Sequence, residues 1–179
     1  MSRASYEATW SHCCELDLRW TLALQRHLAN RAVVLSLAIV SRLGDGVLWY
    51  GLMIALPWLD RRDGWAVVAH MFALGVLNLM IYREVKRRTA RRRPFIACVD
   101  VCARARVLDQ FSFPSGHTLH AVAFATLLTV NYPPMAPALW AFAALVAASR
   151  VALGLHYPSD VLAGVALGLL TGGIVVAGS

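Results

Sequence analysis

Apolar residues gather in six stretches along this chain: Ala32–Ser41, Val47–Leu59, Gly64–Tyr82, Thr118–Tyr132, Ala136–Val151 and Val161–Gly178. Several fall short of the ~20 residues a helix needs to cross a bilayer, and flanking residues bring most to about 17 or more. Ser41-Arg42-Leu43-Gly44-Asp45-Gly46 interrupts the first two runs. A carboxylate at Asp45 is costly in mid-bilayer, so a helical hairpin with a Gly-Asp-Gly turn is expected there rather than one long helix. The pattern predicts an all-α fold, a six-helix transmembrane bundle over residues 31–179. Residues 1–30 precede it and mix Trp10, Leu16, Leu18, Trp20, Leu22, Leu24 and Leu28 with charges. An interfacial amphipathic helix and a polar cap on the bundle both fit that imperfect stripe. The segment lacks the apolar core and small-residue cleavage site of a secretory signal, so the first membrane helix is expected to direct insertion.

Six spans put both termini on one face. Three polar motifs then fall together on the other: Lys86-x6-Arg93-Pro94 ends the third helix, Pro114-Ser115-Gly116-His117 starts the fourth, and Ser149-Arg150-x5-His156-x3-Asp160 spans the turn from fifth to sixth.

Composition agrees with a membrane protein of one domain: 179 residues, 59% hydrophobic and 15% charged, too apolar for water to solvate the whole surface. Net charge is +7, but seven of the seventeen basic residues lie between Arg83 and Arg93 beside an apolar stretch. That placement suits anionic lipid and not nucleic acid. Cys13 and Cys14 are expected on the face opposite Cys98 and Cys102, which precludes one four-cysteine zinc site. Free thiols are expected; a Cys98–Cys102 disulfide needs an oxidising face. Gly164, Gly168 and Gly172 form a small-xxx-small ladder on the last helix, suited to close helix packing within a monomer or across a homodimer.

The motifs carry phosphate chemistry. Asp160 follows His156 by four positions, so its carboxylate can lie beside the imidazole and fix the tautomer. Pro114-Ser115-Gly116 opens a helix whose N-terminal amides form an anion site, with His117 at its mouth. Lys86, Arg93 and Arg150 supply fixed positive charge, as phosphoryl transfer requires at the equatorial oxygens. His120, His70, Asn78 and Asp45 are further polar residues in or beside the apolar stretches. Packing suits His120, bonding between helices suits His70 and Asn78, and turn geometry suits Asp45.

Eleven residues of these motifs, in order and spacing, resemble the type 2 phosphatidic acid phosphatase superfamily, over roughly residues 40–178. The resemblance implies His156 as nucleophile, Asp160 as its orienting carboxylate and His117 as general acid. Lys86, Arg93, Ser115, Gly116 and Arg150 then bind phosphate, while Arg87, Arg88, Arg91 and Arg92 meet lipid headgroups or steer substrate. It implies a phosphohistidine route without metal or other cofactor. The expected substrate is a membrane lipid phosphate: phosphatidate, phosphatidylglycerophosphate, or a polyprenyl phosphate or diphosphate. Transfer to an acceptor lipid and a non-catalytic lipid-binding role remain alternatives. Lysine and arginine counts lean weakly toward a cytoplasmic site. Bacterial relatives instead imply a plasma-membrane protein with its site on the extracytoplasmic face.

Overall fold

The computed structural model describes residues 15–26, 30–107 and 109–178, and among these every regular element is helical apart from one isolated bridge between Arg92 and Phe111. Residues 15–26 form α1. The bundle follows as α2 (Arg31–Arg42), α3 (Leu48–Leu59), α4 (Gly64–Thr89), the short α5 (Pro94–Ala97), α6 (Gly116–Asn131), α7 (Ala136–Ala152) and α8 (Pro158–Ala177).

Asn30 starts α2, its side chain accepting the Ala32 N–H at 2.9 Å. The expected loop between the first two helices is replaced by a wide helical turn, Leu43–Val47, which joins α2 to α3. Hydrogen bonding continues through it from the Leu48 N–H to the Leu43 carbonyl, and Gly46, at φ 129°, is its one residue outside helical geometry. Only glycine adopts such a φ without strain. The two helices do not pair as a tight hairpin: α2 rests on α7 and α3 on α4. By length and apolarity, four segments among the described residues can cross a membrane: Arg31–Leu59, Gly64–Thr89, Pro133–Ala152 and Pro158–Ala177. The 16 residues of α6 lie between them, shorter than the others but the most enclosed. The six separate spans of the sequence pattern therefore differ from the structure at the first pair.

At one end of the bundle the Asp60 carboxylate caps the α3–α4 turn by accepting the Asp63 N–H at 3.1 Å, and also accepts the Tyr132 hydroxyl at 3.1 Å. Trp58 and Trp65 are exposed near that end, an aromatic girdle of the kind found at a bilayer edge. The interior is a continuous apolar cluster including Trp49, Met71, Leu74, Phe124, Leu128, Leu139 and Val146. Large apolar side chains such as Ile54, Phe72, Leu162 and Ile174 point outward, toward what in this protein is lipid.

The glycine ladder packs within the monomer. A Cβ on Gly164, Gly168 or Gly172 would stand 2.7, 2.7 or 2.9 Å from atoms of α6 or of Ser115 at its start, so α8 lies directly on α6. The N-terminal helix packs on the bundle as the polar-cap reading has it, but on the face opposite the one expected for the N-terminus. It sits at the end of the bundle that carries the motifs, where Asp17 bonds Ser159 and Gln25 bonds Cys102 and Ala152. Cys98 and Cys102 are both free thiols; Cys13 and Cys14 lie outside the described residues.

Candidate active site

Lys86 occupies the last turn of α4, and Ala90 at φ 44° ends the helix and turns the chain. That reversal returns Arg93 to the bundle axis, where it precedes Pro94, a residue that readily opens a helix. The side chains of Lys86 and Arg93 are nearly inaccessible and converge on one carboxylate. Asp109 accepts Lys86 Nζ at 2.7 Å on one oxygen and Arg93 Nη2 at 2.7 Å on the other. Arg93 Nε also donates to the Asp109 carbonyl at 3.0 Å. Burial alone would raise the Asp109 pKa, but the hydrogen bonds and charges of Lys86 and Arg93 outweigh it and hold the group below the usual carboxylate range.

His156 follows α7 and is wholly enclosed. Arg93 Nη1 donates to the Leu155 carbonyl at 2.7 Å and stands 3.3 Å from His156 Nε2. A guanidinium only donates, so Nε2 is the acceptor and the ring proton sits on Nδ1. Nδ1 faces Asp160 Oδ2 at 3.5 Å, an ion-pair distance and not yet a tight hydrogen bond. Burial first, then the charges of Arg150, Arg93 and Lys86, push the His156 pKa well below the ordinary imidazole value. That shift favours the neutral ring, with its Nε2 lone pair facing Arg93.

Asp160 is held from several sides. Its Oδ2 accepts the Tyr157 N–H at 2.9 Å as the first turn of α8 forms, its Oδ1 accepts Arg91 Nη1 at 2.8 Å, and its carbonyl accepts the Ser115 N–H at 3.0 Å. The last bond ties the second motif to the third. Ser115 itself is buried, its hydroxyl 3.0 Å from that of Thr118, while Gly116 lies against the Tyr82 ring. Arg150 is enclosed and donates to the Ser41 hydroxyl, leaving Nε without a partner.

His117 pairs through Nε2 with Asp45 of the Gly-Asp-Gly segment. Turn geometry therefore does not exhaust the role of Asp45. His120 bonds the Gly116 carbonyl at 2.8 Å and packs on Tyr82 and Phe124, as expected of a packing residue. Asn78 is buried with neither polar atom paired, so the expected bond between helices is not formed. Lys86, Asp109, Gly116, His117 and His156 line one cavity of about 1420 Å³. The expected histidines and cations thus come together at one end of the bundle.

Two residues of this cluster escaped the sequence reading. Asp109 lies in the loop before Pro114, a lone acid near two motifs and outside both. The resemblance groups Arg91 with the headgroup arginines, yet its side chain is only 10% exposed and lies over the Tyr157 ring, 4.2 Å from its centre. Arg87 and Arg88 both pair with Glu84 at the surface.

Apolar helices with a ring of cations and two histidines at one end define a membrane-embedded enzyme of phosphate chemistry. The chain belongs to the PAP2 superfamily, whose model matches residues 63–178, and it is a phosphatase by that membership. It is 33% identical over 168 residues to the decaprenylphosphoryl-5-phosphoribose phosphatase of Mycobacterium tuberculosis, covering 86% of this chain and 85% of that one. A lipid A 1-phosphatase of Rhizobium etli is 44% identical over 57 residues, 32% of this chain and 25% of that one. Among solved structures, Aquifex aeolicus LpxE superposes with a TM-score of 0.79 at 24% identity, covering 90% of this chain and 95% of that one. The transmembrane PAP2-type phosphatidylglycerolphosphate phosphatase of Bacillus subtilis gives 0.73 at 23% identity, covering 98% and 86%.

Proposed function

We propose that this protein hydrolyses the phosphate of a membrane lipid through a phosphohistidine on His156. The observation that carries the reading is the geometry at His156: the ring is enclosed, its Nε2 3.3 Å from Arg93 and its Nδ1 turned to Asp160. Nε2 attacks phosphorus in line, and the Nδ1 proton stays with the ring, whose new positive charge Asp160 stabilises. The P–O bond to the lipid breaks as His117 gives a proton to the leaving oxygen, with Asp45 as the partner that holds the ring. Water, deprotonated by His117, then cleaves the P–N bond and frees phosphate. Arg93, Lys86 and the unpaired Nε of Arg150 meet the equatorial oxygens, a role cations fill without a metal.

The cavity supports a lipid substrate. From the histidines it runs between α3 and α4 past Trp49, Met53, Met71, Phe72 and Gly75, an apolar trough on the flank of the bundle. A chain lying there stays in the bilayer while its phosphate enters the cationic end. The similarity to a decaprenylphosphoryl-linked phosphatase favours a polyprenyl-linked phosphate over a glycerophospholipid. We place the protein in the plasma membrane with its site on the extracytoplasmic face; a reporter fused near the C-terminus tests that orientation.

The test of function is turnover by purified protein in mixed micelles. Long-chain polyprenyl phosphates should be hydrolysed far faster than glucose phosphate or a nucleotide, with chelator present. Brief reaction with 32P-labelled substrate should leave acid-labile label on wild type and none on His156→Ala. Equal rates on soluble esters would overturn the lipid reading, and loss of activity in chelator, restored by magnesium, the metal-free one.

A further inference from the structure

Residues 15–26 lie outside the stretch that matches the family, residues 63–178, yet they are built into the phosphatase end of the molecule. Asp17, itself buried, accepts Arg91 Nη2 at 2.6 Å, the Ser159 N–H at 3.1 Å and the Ser159 hydroxyl. Arg91 then spans the gap, its Nη1 donating to Ser159 Oγ at 2.7 Å and to Asp160 Oδ1 at 2.8 Å. Eight residues along α1, Gln25 donates to the Cys102 carbonyl at 2.8 Å and accepts the Cys102 N–H at 3.2 Å. Gly154 makes room for that amide: a Cβ there would stand 2.5 Å from Gln25 Nε2 and 2.6 Å from the Cys102 carbonyl oxygen. The helix is thus fixed at two points across the turn that carries His156.

We propose that α1 is a strap over the catalytic turn and that Asp17 is a positioning residue for the nucleophile, acting through Arg91 on Asp160. The inference rests on the reading of His156 as nucleophile. Asp160 has two oxygens and must offer one to His156 Nδ1 in the right direction. Arg91 takes the other and so sets the rotation of the carboxyl plane. Arg91 alone would draw charge away from Asp160. Asp17 supplies the opposing carboxylate, so that Arg91 orients Asp160 while sharing its charge between two acids. Without Asp17, Arg91 loses one of its two carboxylates and draws more on the charge of Asp160, which then stabilises the phosphohistidine cation less.

The test compares full-length Asp17→Asn, Asp17→Glu, Asp160→Asn and the double variant Asp17→Asn/Asp160→Asn with His156→Ala as reference. Asp17→Asn should lower kcat about tenfold, the scale for losing a partner that orients a reacting group, with KM changed little. Asp17→Glu should restore part of that loss. The double variant should be no slower than Asp160→Asn, because both act on one carboxylate. Burst formation of labelled protein should slow in Asp17→Asn in proportion to kcat. A merely structural strap gives a different result: a lower melting temperature, kcat near wild type in the folded fraction, and losses that multiply in the double variant. Either that pattern or wild-type kcat overturns the inference. Should Asp17→Asn not fold, Ser159→Ala, which removes one hydroxyl of the same network, must show the same kcat loss without a KM change. An active His156→Ala is a separate failure, of the nucleophile assignment itself.

Discussion

Asp109 bonds Lys86 and Arg93, two of the cations proposed to bind phosphate, so Asp109→Asn is a direct probe of that cradle. Its carboxylate holds Lys86 and Arg93 through two 2.7 Å charge-assisted bonds. Bonds to charged groups are worth ~1.5–3 kcal/mol each when dry. The Asp109 side chain is 39% exposed, so water screens the pair and a surface value, ~1 kcal/mol in total, is the better figure. Displacing it costs a bound oxyanion that amount. An asparagine keeps the shape and one acceptor but removes the competing charge, which predicts roughly fivefold tighter binding of vanadate and phosphate. The assay is inhibition of turnover by each anion, with direct calorimetric titration of the folded variant as a check. Turnover should fall modestly as product phosphate leaves more slowly. Weaker vanadate binding in Asp109→Asn refutes the reasoning, for it means that Asp109 aligns the cations instead of competing for them.

His156→Ala should abolish turnover, whereas Asp160→Asn should leave a measurable residue, because it misorients the nucleophile without deleting it. His117→Ala should slow monoesters more than diphosphates, whose phosphate leaving group needs less protonation; equal losses in steady-state assays would remove the general-acid role. Because burial and neighbouring cations lower the His156 pKa, the loss of kcat/KM that comes from protonating this nucleophile should set in only below ~6.5. The unfolded chain binds that proton first, so His156 makes stability fall with pH from ~6.5 down to its lower folded pKa, which urea titrations across that window should show. Arg91→Gln should depress kcat, while Arg87→Gln and Arg88→Gln should change only apparent KM, in a salt-sensitive way. Gly168→Val would press a side chain to within 2.7 Å of the Leu119 carbonyl and 2.9 Å of the Val122 Cβ. It should cost ~1–3 kcal/mol, read as a lower melting temperature in detergent.

Much of this site is legible in the sequence because its spacing is helical. Asp160 sits one turn beyond His156, and Ser115-Gly116-His117 sits on a helix start; such relations survive any folding of the rest. The convergence of Lys86, Arg93 and His156 also follows, since it depends on the order of helices from α4 onward and not on those before. The Gly-Asp-Gly segment is harder. Glycines flanking an acid fit a loop and a wide helical turn equally well, and what decides between them is the pairing of Asp45 with His117, 72 residues away. Arg91 and Asp109 were hidden for a related reason. In an arginine-rich run nothing local marks the one side chain that a distant Asp17 and Asp160 pull inward, and a lone loop aspartate declares no partner. The position of α1 is likewise a matter of tertiary bonds, those of Asp17 and Gln25, which a weak amphipathic stripe does not encode.

The contact between α6 and α8 has a mechanical meaning. His117 stands on the first turn of one helix and Asp160 on the first turn of the other, and Gly164, Gly168 and Gly172 bring the two backbones together below them. Bilayers vary in thickness, and a helix answers by tilting. Two helices joined carbonyl to glycine along three successive turns tilt as one body, like the arms of a locked caliper. The gap proposed for phosphoryl transfer is then gauged by protein backbone and stays constant as the surrounding lipid swells or thins.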